Sequence, residues 1–173
     1  FEKFCRLYAK NGIELGKIGI AGLSLTTISA TYIIPNSYFD YTTNYFIEFL
    51  YYLDKKDVSS DLNIICKING EKILKKNYNG VSYSSSAPEI FPPSDTKYYI
   101  NDYLDPTINN KIEFILETES INTYRNIFSI WDVGIFDDTN ANVSIGSPIF
   151  ISPIPTGFLS QKVNPKYNVS KYL

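Results

Sequence analysis

Apolar and polar residues alternate with a period of two along most of this chain, the spacing that puts one face of a β-strand in a core and the other in water. Residues 111–119 show it most cleanly. Ile112, Phe114, Leu116 and Thr118 fall on one side; Lys111, Glu113, Glu117 and Glu119 fall on the other, with Ile115 the exception. Residues 61–68 behave similarly, with Leu62, Ile64, Cys66 and Ile68 on the apolar side. They run into Asn69-Gly70, a pair suited to the left-handed dihedrals of a tight hairpin, so residues 71–76 are expected to return antiparallel. Residues 45–53 are apolar on both faces apart from Glu48, and residues 127–136 are similar. Such strands belong in the middle of a sheet. Further strands are expected over 13–20, 23–34, 97–100 and 143–151.

The breaks carry turn chemistry. Residues 35–37, 54–60, 83–95, 105–110 and 137–142 are rich in Pro, Asn, Asp and Ser. No long amphipathic helix is predicted; the best short one is residues 1–10. Many strands at short spacing give an all-β fold, a sandwich of two antiparallel sheets spanning residues 1–151. Residues 152–173, interrupted by Pro153, Pro155 and Pro165, read as an extended C-terminal arm lying on its own domain or on a neighbour. Residues 18–34 are free of charge but short for a membrane span and studded with Ser and Thr, so two strands bending near Gly22 are expected instead. The glycines at 12, 16, 19 and 22 lack the strand–loop–helix context and the Gly-Lys-Ser/Thr ending of a phosphate loop.

The segments 45–54, 61–70, 99–105 with 110–117, and 129–136 resemble, in that order, successive core strands and turns of the galactose-binding-like jelly-roll family. The resemblance spans roughly residues 40–138. It implies a jelly-roll β-sandwich of the kind found in carbohydrate-binding modules, in accessory domains of secreted enzymes, and in phage and viral structural proteins. That family carries no invariant binding motif, so no ligand residues transfer, and the fold alone does not settle function.

Composition narrows the chemistry. The 173 residues contain no His and no Met. Without His the usual general base, the commonest metal ligand and the Ser-His triad are gone, and an enzyme is not expected. A chain that does not open with Met is expected to be processed or a fragment. Net charge is −2, and the basic pairs Lys55-Lys56 and Lys75-Lys76 are too short to form a phosphate-tracking stripe, so nucleic acid is not an expected partner. Cys5 and Cys66 permit a disulfide without predicting one; Cys66 reads as a small buried hydrophobe.

Of the aromatic residues, Trp131 shares its nominal face with Ile127, Ser129, Val133 and Ile135 and is expected in the core. Tyr78, Tyr83, Tyr98 and Tyr124 lie in or beside polar loops and are the candidates for stacking on a sugar ring, with Arg125 as a polar clamp. Asp102 and Asp105, like Asp137 and Asp138, are close in sequence, but such aspartates more often cap turns than form a catalytic pair. Asp137, Asp138 and Asn140 are the candidate calcium ligands, since hard cations take loop oxygens. Asn142-Val143-Ser144 and Asn168-Val169-Ser170 match the glycosylation pattern. Two functions are expected from these features: a non-catalytic structural or adhesive module of a larger assembly, in a virion or at a cell surface, whose partners are further copies of itself or neighbouring subunits; or a carbohydrate-binding module of a secreted enzyme or adhesin.

Overall fold

The structure is a computed structural model that describes residues 2–8, 12–18, 23–55, 61–79, 83–84, 88–120 and 125–151, with side chains placed over 27–55, 61–79, 88–117 and 128–149. Residues 152–173, and with them the expected arm, lie outside the described residues, as does Tyr124.

Among the described residues, thirteen strands form two antiparallel sheets. The larger holds β1 (Glu2–Tyr8), β2 (Gly12–Ile18), β11 (Arg125–Asp137) and β4 (Tyr45–Lys55) in that order. The short strands β7 (Tyr83–Ser84), β8 (Glu89–Phe91) and β9 (Tyr98–Tyr99) share the far edge of β4, and β12 (Asn142–Val143) adds to β11. The smaller sheet runs β13 (Ile149–Ile151), β3 (Leu23–Ile34), β10 (Asn110–Ser120), β5 (Leu62–Ile68), β6 (Glu71–Asn77). An all-β sandwich is therefore what the alternation specifies. Among the described residues no helix is long and apolar enough to cross a membrane.

The core lies between the inward rows. Ile28, Ala30, Tyr32 and Ile34 of β3, Leu62, Ile64, Cys66 and Ile68 of β5, and Ile112, Phe114 and Leu116 of β10 face Ile47, Phe49, Tyr51 and Leu53 of β4 and Phe128, Ile130 and Ile135 of β11. Phe49 sits at the centre, stacked on Phe91 at 4.8 Å and edge-on to Phe114 at 5.0 Å. Cys66 is a free, buried thiol. Burial raises its pKa, so it behaves as a small hydrophobe and not as a nucleophile. The Asn69-Gly70 turn has both residues at positive φ and closes the β5–β6 hairpin as expected.

Four local expectations are corrected. The short helix expected over residues 1–10 is not formed by its described residues: Glu2–Tyr8 pairs with Gly12–Ile18 in an antiparallel hairpin. One or two turns of isolated helix cannot compete with a backbone ladder to a neighbouring strand. The stretch 83–95 is not all loop, because β7 and β8 lie within it, recruited by the edge of β4. Residues 143–151 are not one strand. β12 and β13 belong to different sheets, and Gly146, at φ +68°, lies in the segment that crosses between them.

The fourth concerns β11. Its register with β4 slips between Trp131 and Gly134, and Asp132 adopts φ +54°. This β-bulge inserts one residue and reverses the strand's parity. Phe128 and Ile130 face the core before it, and Val133 and Ile135 after it. Trp131 is therefore not a core residue: it stands opposite Leu50 on the outer face and is half-buried there.

Candidate functional site

The outer face of the larger sheet is unusually apolar around β4. Its outward residues are Phe46, Glu48, Leu50, Tyr52 and, at the far end, Asp54, and Trp131 and Phe136 of β11 flank Leu50 and Phe46. Phe46 is covered on three sides. Phe136 stacks on it at 5.5 Å, Tyr99 meets it edge-on at 6.3 Å, and Lys97 Nζ lies 4.6 Å from its ring centroid. Gly134 makes the first contact achievable, since a Cβ there would stand 2.5 Å from the Phe136 ring.

Two hollows lie side by side on this face. One, of about 220 Å³, is lined by Phe46, Glu48, Ile90, Pro92, Ser94, Asp95, Thr96 and Lys97. The other, of about 200 Å³, is lined by Glu48, Phe49, Leu50, Ile90 and Asp132. Glu48 and Ile90 belong to both, so the hollows form one groove. Ile90 is 53% exposed, and Tyr99, which meets the lining residue Phe46 edge-on, is 47% exposed. Glu48 and Asp132 make no hydrogen bond or ion pair among the described residues. Asp132 is held at a left-handed dihedral that Asp tolerates better than most side chains. Such strained positions gather at binding sites. The Tyr99 hydroxyl donates to Asp138 Oδ1 at 2.8 Å, and this bond raises the pKa of the phenol.

Of the predicted ligand-binding aromatics, the two whose side chains are described, Tyr78 and Tyr98, lie elsewhere. Tyr98 stands opposite Ile47, faces inward and packs on the core. Its hydroxyl is 3.0 Å from that of Tyr103, and burial together with this bond pushes its pKa up to about 12. Tyr78 also packs against the core. Tyr83 pairs with Lys55 and Arg125 with Ile18 through their backbones, but their side chains, like Tyr124, lie outside the described residues. The exposed aromatic at this edge is the next residue, Tyr99.

The calcium candidates are engaged in a turn. Asp137 Oδ1 accepts from Thr139 N–H at 2.8 Å, Thr139 Oγ1 at 2.6 Å and Ala141 N–H at 3.0 Å. Asn140, at φ +62°, donates its N–H to the Asp137 carbonyl, and Asp138 receives Tyr99. Asp105 is likewise held by Thr107, and the adjacent Asp102 is exposed on a single 3₁₀ turn. Among the described residues no cluster of three His, Cys, Asp or Glu side chains is placed to hold a metal.

The groove residues Glu48 and Asp132 had a signal in the sequence. Each is the lone charge in an otherwise apolar strand segment, 45–53 and 127–136. Such a position needs an outward, wet side chain on a face that is otherwise apolar. The chain matches no family model and no curated protein.

Proposed function

We propose that this domain is a non-catalytic adhesive module that binds a saccharide in the groove along β4. The observation that carries the reading is the combination of exposed apolar surface at Ile90 with carboxylates at Glu48 and Asp132 in one shallow groove, with the exposed Tyr99 ring against its Phe46 wall. A sugar presents an apolar ring face and a rim of hydroxyl donors. An apolar floor takes the first, and ionised carboxylates, which only accept, take the second. Two adjoining shallow hollows suit successive rings of an oligosaccharide better than one deep ligand. Long strands that keep changing sheet, and the Asn69-Gly70 turn closing β5, support the jelly-roll and galactose-binding-like reading of the fold. This favours the carbohydrate-binding expectation. The larger assembly, at a cell surface or in a virion, is the setting in which such a module would act.

A glycan array followed by calorimetry on the best binder tests it. Glu48→Gln and Asp132→Asn keep shape and remove charge, and each is expected to weaken binding about tenfold or more, as hydrogen bonds to charged groups contribute about 1.5–3 kcal/mol. No binding across neutral and acidic glycans would sink the reading. Release of cleaved sugar on incubation would overturn its non-catalytic part.

A further inference from the structure

The opposite outer face, on the smaller sheet, carries a second and larger cleft of about 410 Å³. Ile33, 40% exposed, and Ile108, 46% exposed, form its apolar side. Ile149, 52% exposed, stands beside it, paired with the lining residue Thr31. Among the described residues, three of the six exposed large hydrophobic ones thus gather at one place, which on a folded surface marks a protein contact more often than chance. The remaining wall is charged. Lys111 and Glu113 occupy successive outward positions of β10, about 7 Å apart from strand geometry. Neither side chain makes an ion pair or hydrogen bond among the described residues, although Lys67 is the cross-strand neighbour of Glu113.

We propose that this cleft is a self-association surface whose occupant is a second copy of the same chain. A two-fold axis places the same patch on both partners. Running through the midpoint of Lys111 and Glu113, it sets each lysine against the partner's glutamate while the isoleucines of the two copies close over one another. Two opposite charges beside an apolar patch are complementary to themselves in this arrangement, whereas a patch of one sign would repel its copy. Pro148 precedes β13 and has no N–H to donate to β3, and among the described residues the β13–β3 ladder ends at Ile149 opposite Thr31. The saccharide groove lies on the other sheet, so a pair formed here carries two grooves facing away from each other, and multivalent binding follows. The inference does not depend on the groove's ligand.

Sedimentation or light scattering of the full chain tests it with a charge exchange. The wild-type chain is expected to be a dimer. Lys111→Glu and Glu113→Lys, each of which opposes like charges at two symmetric contacts, are expected to weaken the dimer about 100-fold. The double exchange, which restores opposite charges across the axis, is expected to recover it. Circular dichroism confirms that each variant is folded. A wild-type chain monomeric at high concentration, single variants that dimerise normally, or a double variant that stays monomeric would each overturn the proposal. So would a full chain that dimerises only after residues 152–173 are removed, which would assign the cleft to that segment. Saccharide affinity per site is expected to be unchanged in all three variants, so failure here and failure of the groove reading are separable.

Discussion

Asn110 shows how much one side chain organises. It is 1% exposed at the start of β10. Its Oδ1 accepts from Asn69 Nδ2 at 2.7 Å and from Asp105 N–H at 2.8 Å; its Nδ2 donates to the Tyr41 hydroxyl at 3.1 Å and the Asp105 carbonyl at 3.2 Å. Three loops that share no local sequence, around residues 41, 69 and 105, are tied by one amide. Asn69 extends the tie by donating to the Tyr103 carbonyl and accepting from Lys111 N–H. Asn110→Ala removes the amide from all of these donors and acceptors at once, so it is expected to cost about 2–4 kcal/mol in urea unfolding, the scale of one to two unmet buried polar groups. Nothing in the sequence marks this residue. It ends a Thr-Ile-Asn-Asn stretch that reads as a turn, and only the convergence of distant loops gives it four partners.

At the scale of the strand, the legible and illegible parts divide at β-bulges and sheet edges. Residues 62–68 and 111–117 could be assigned to faces from their alternation because the ladder that joins the two strands runs without interruption. Ile115 is the exception that the pattern flagged, and it is buried on the outer face beside Ile65 in the cross-strand row. β11 defeats the same reasoning because one inserted residue, Asp132, reverses parity and carries Trp131 outside. The groove is hidden for a second reason. Its far wall comes from Ile90 of β8, a strand of only three residues, and from Pro92 and residues 94–97 after it, which carry too little pattern to predict. The bulge makes a prediction of its own. Asp132→Gly relieves the left-handed dihedral and keeps the bulge, so it is expected to raise stability by about 0.5–1 kcal/mol. It also removes a groove carboxylate, so saccharide affinity is expected to fall in the same variant. Thermal melts and calorimetry on one preparation check both. A variant that lost stability would show that the aspartate is not strained, and unchanged affinity would remove it from the site.

At the scale of the whole molecule, the loops around Asp40, Asp105 and Asp137 share one device. In each, an aspartate Oδ1 accepts both the N–H and the hydroxyl of the threonine two residues on, at 3.0 and 2.6 Å for Asp40 and at 2.8 and 2.6 Å for the other two. These turns precede β4, precede β10 and follow β11, and Tyr45, the first residue of β4, pairs with Asp137. The Asp-x-Thr triplets stand in the sequence, but the turn reading of Asp105 and Asp137 rested on the turn-capping habit of aspartate and not on the threonines. Their joint consequence depends on the fold. In every case the threonine hydroxyl, before any other influence, holds the carboxyl below its ordinary range. A carboxylate whose pKa is lower folded than unfolded contributes stability above its unfolded value, about 3.9. That contribution is lost as pH falls through the depressed folded value. The midpoint of thermal unfolding is therefore expected to hold steady at neutral pH and to drop as the solution is acidified below about pH 4. Replacing all three aspartates by Asn retains an acceptor oxygen for the threonine N–H but removes the titrating charge. That variant is expected to be less stable at pH 7 and to lose less between pH 4 and pH 2 than the wild-type chain does. Parallel melting curves for the two proteins would show the turns to be irrelevant to acid unfolding.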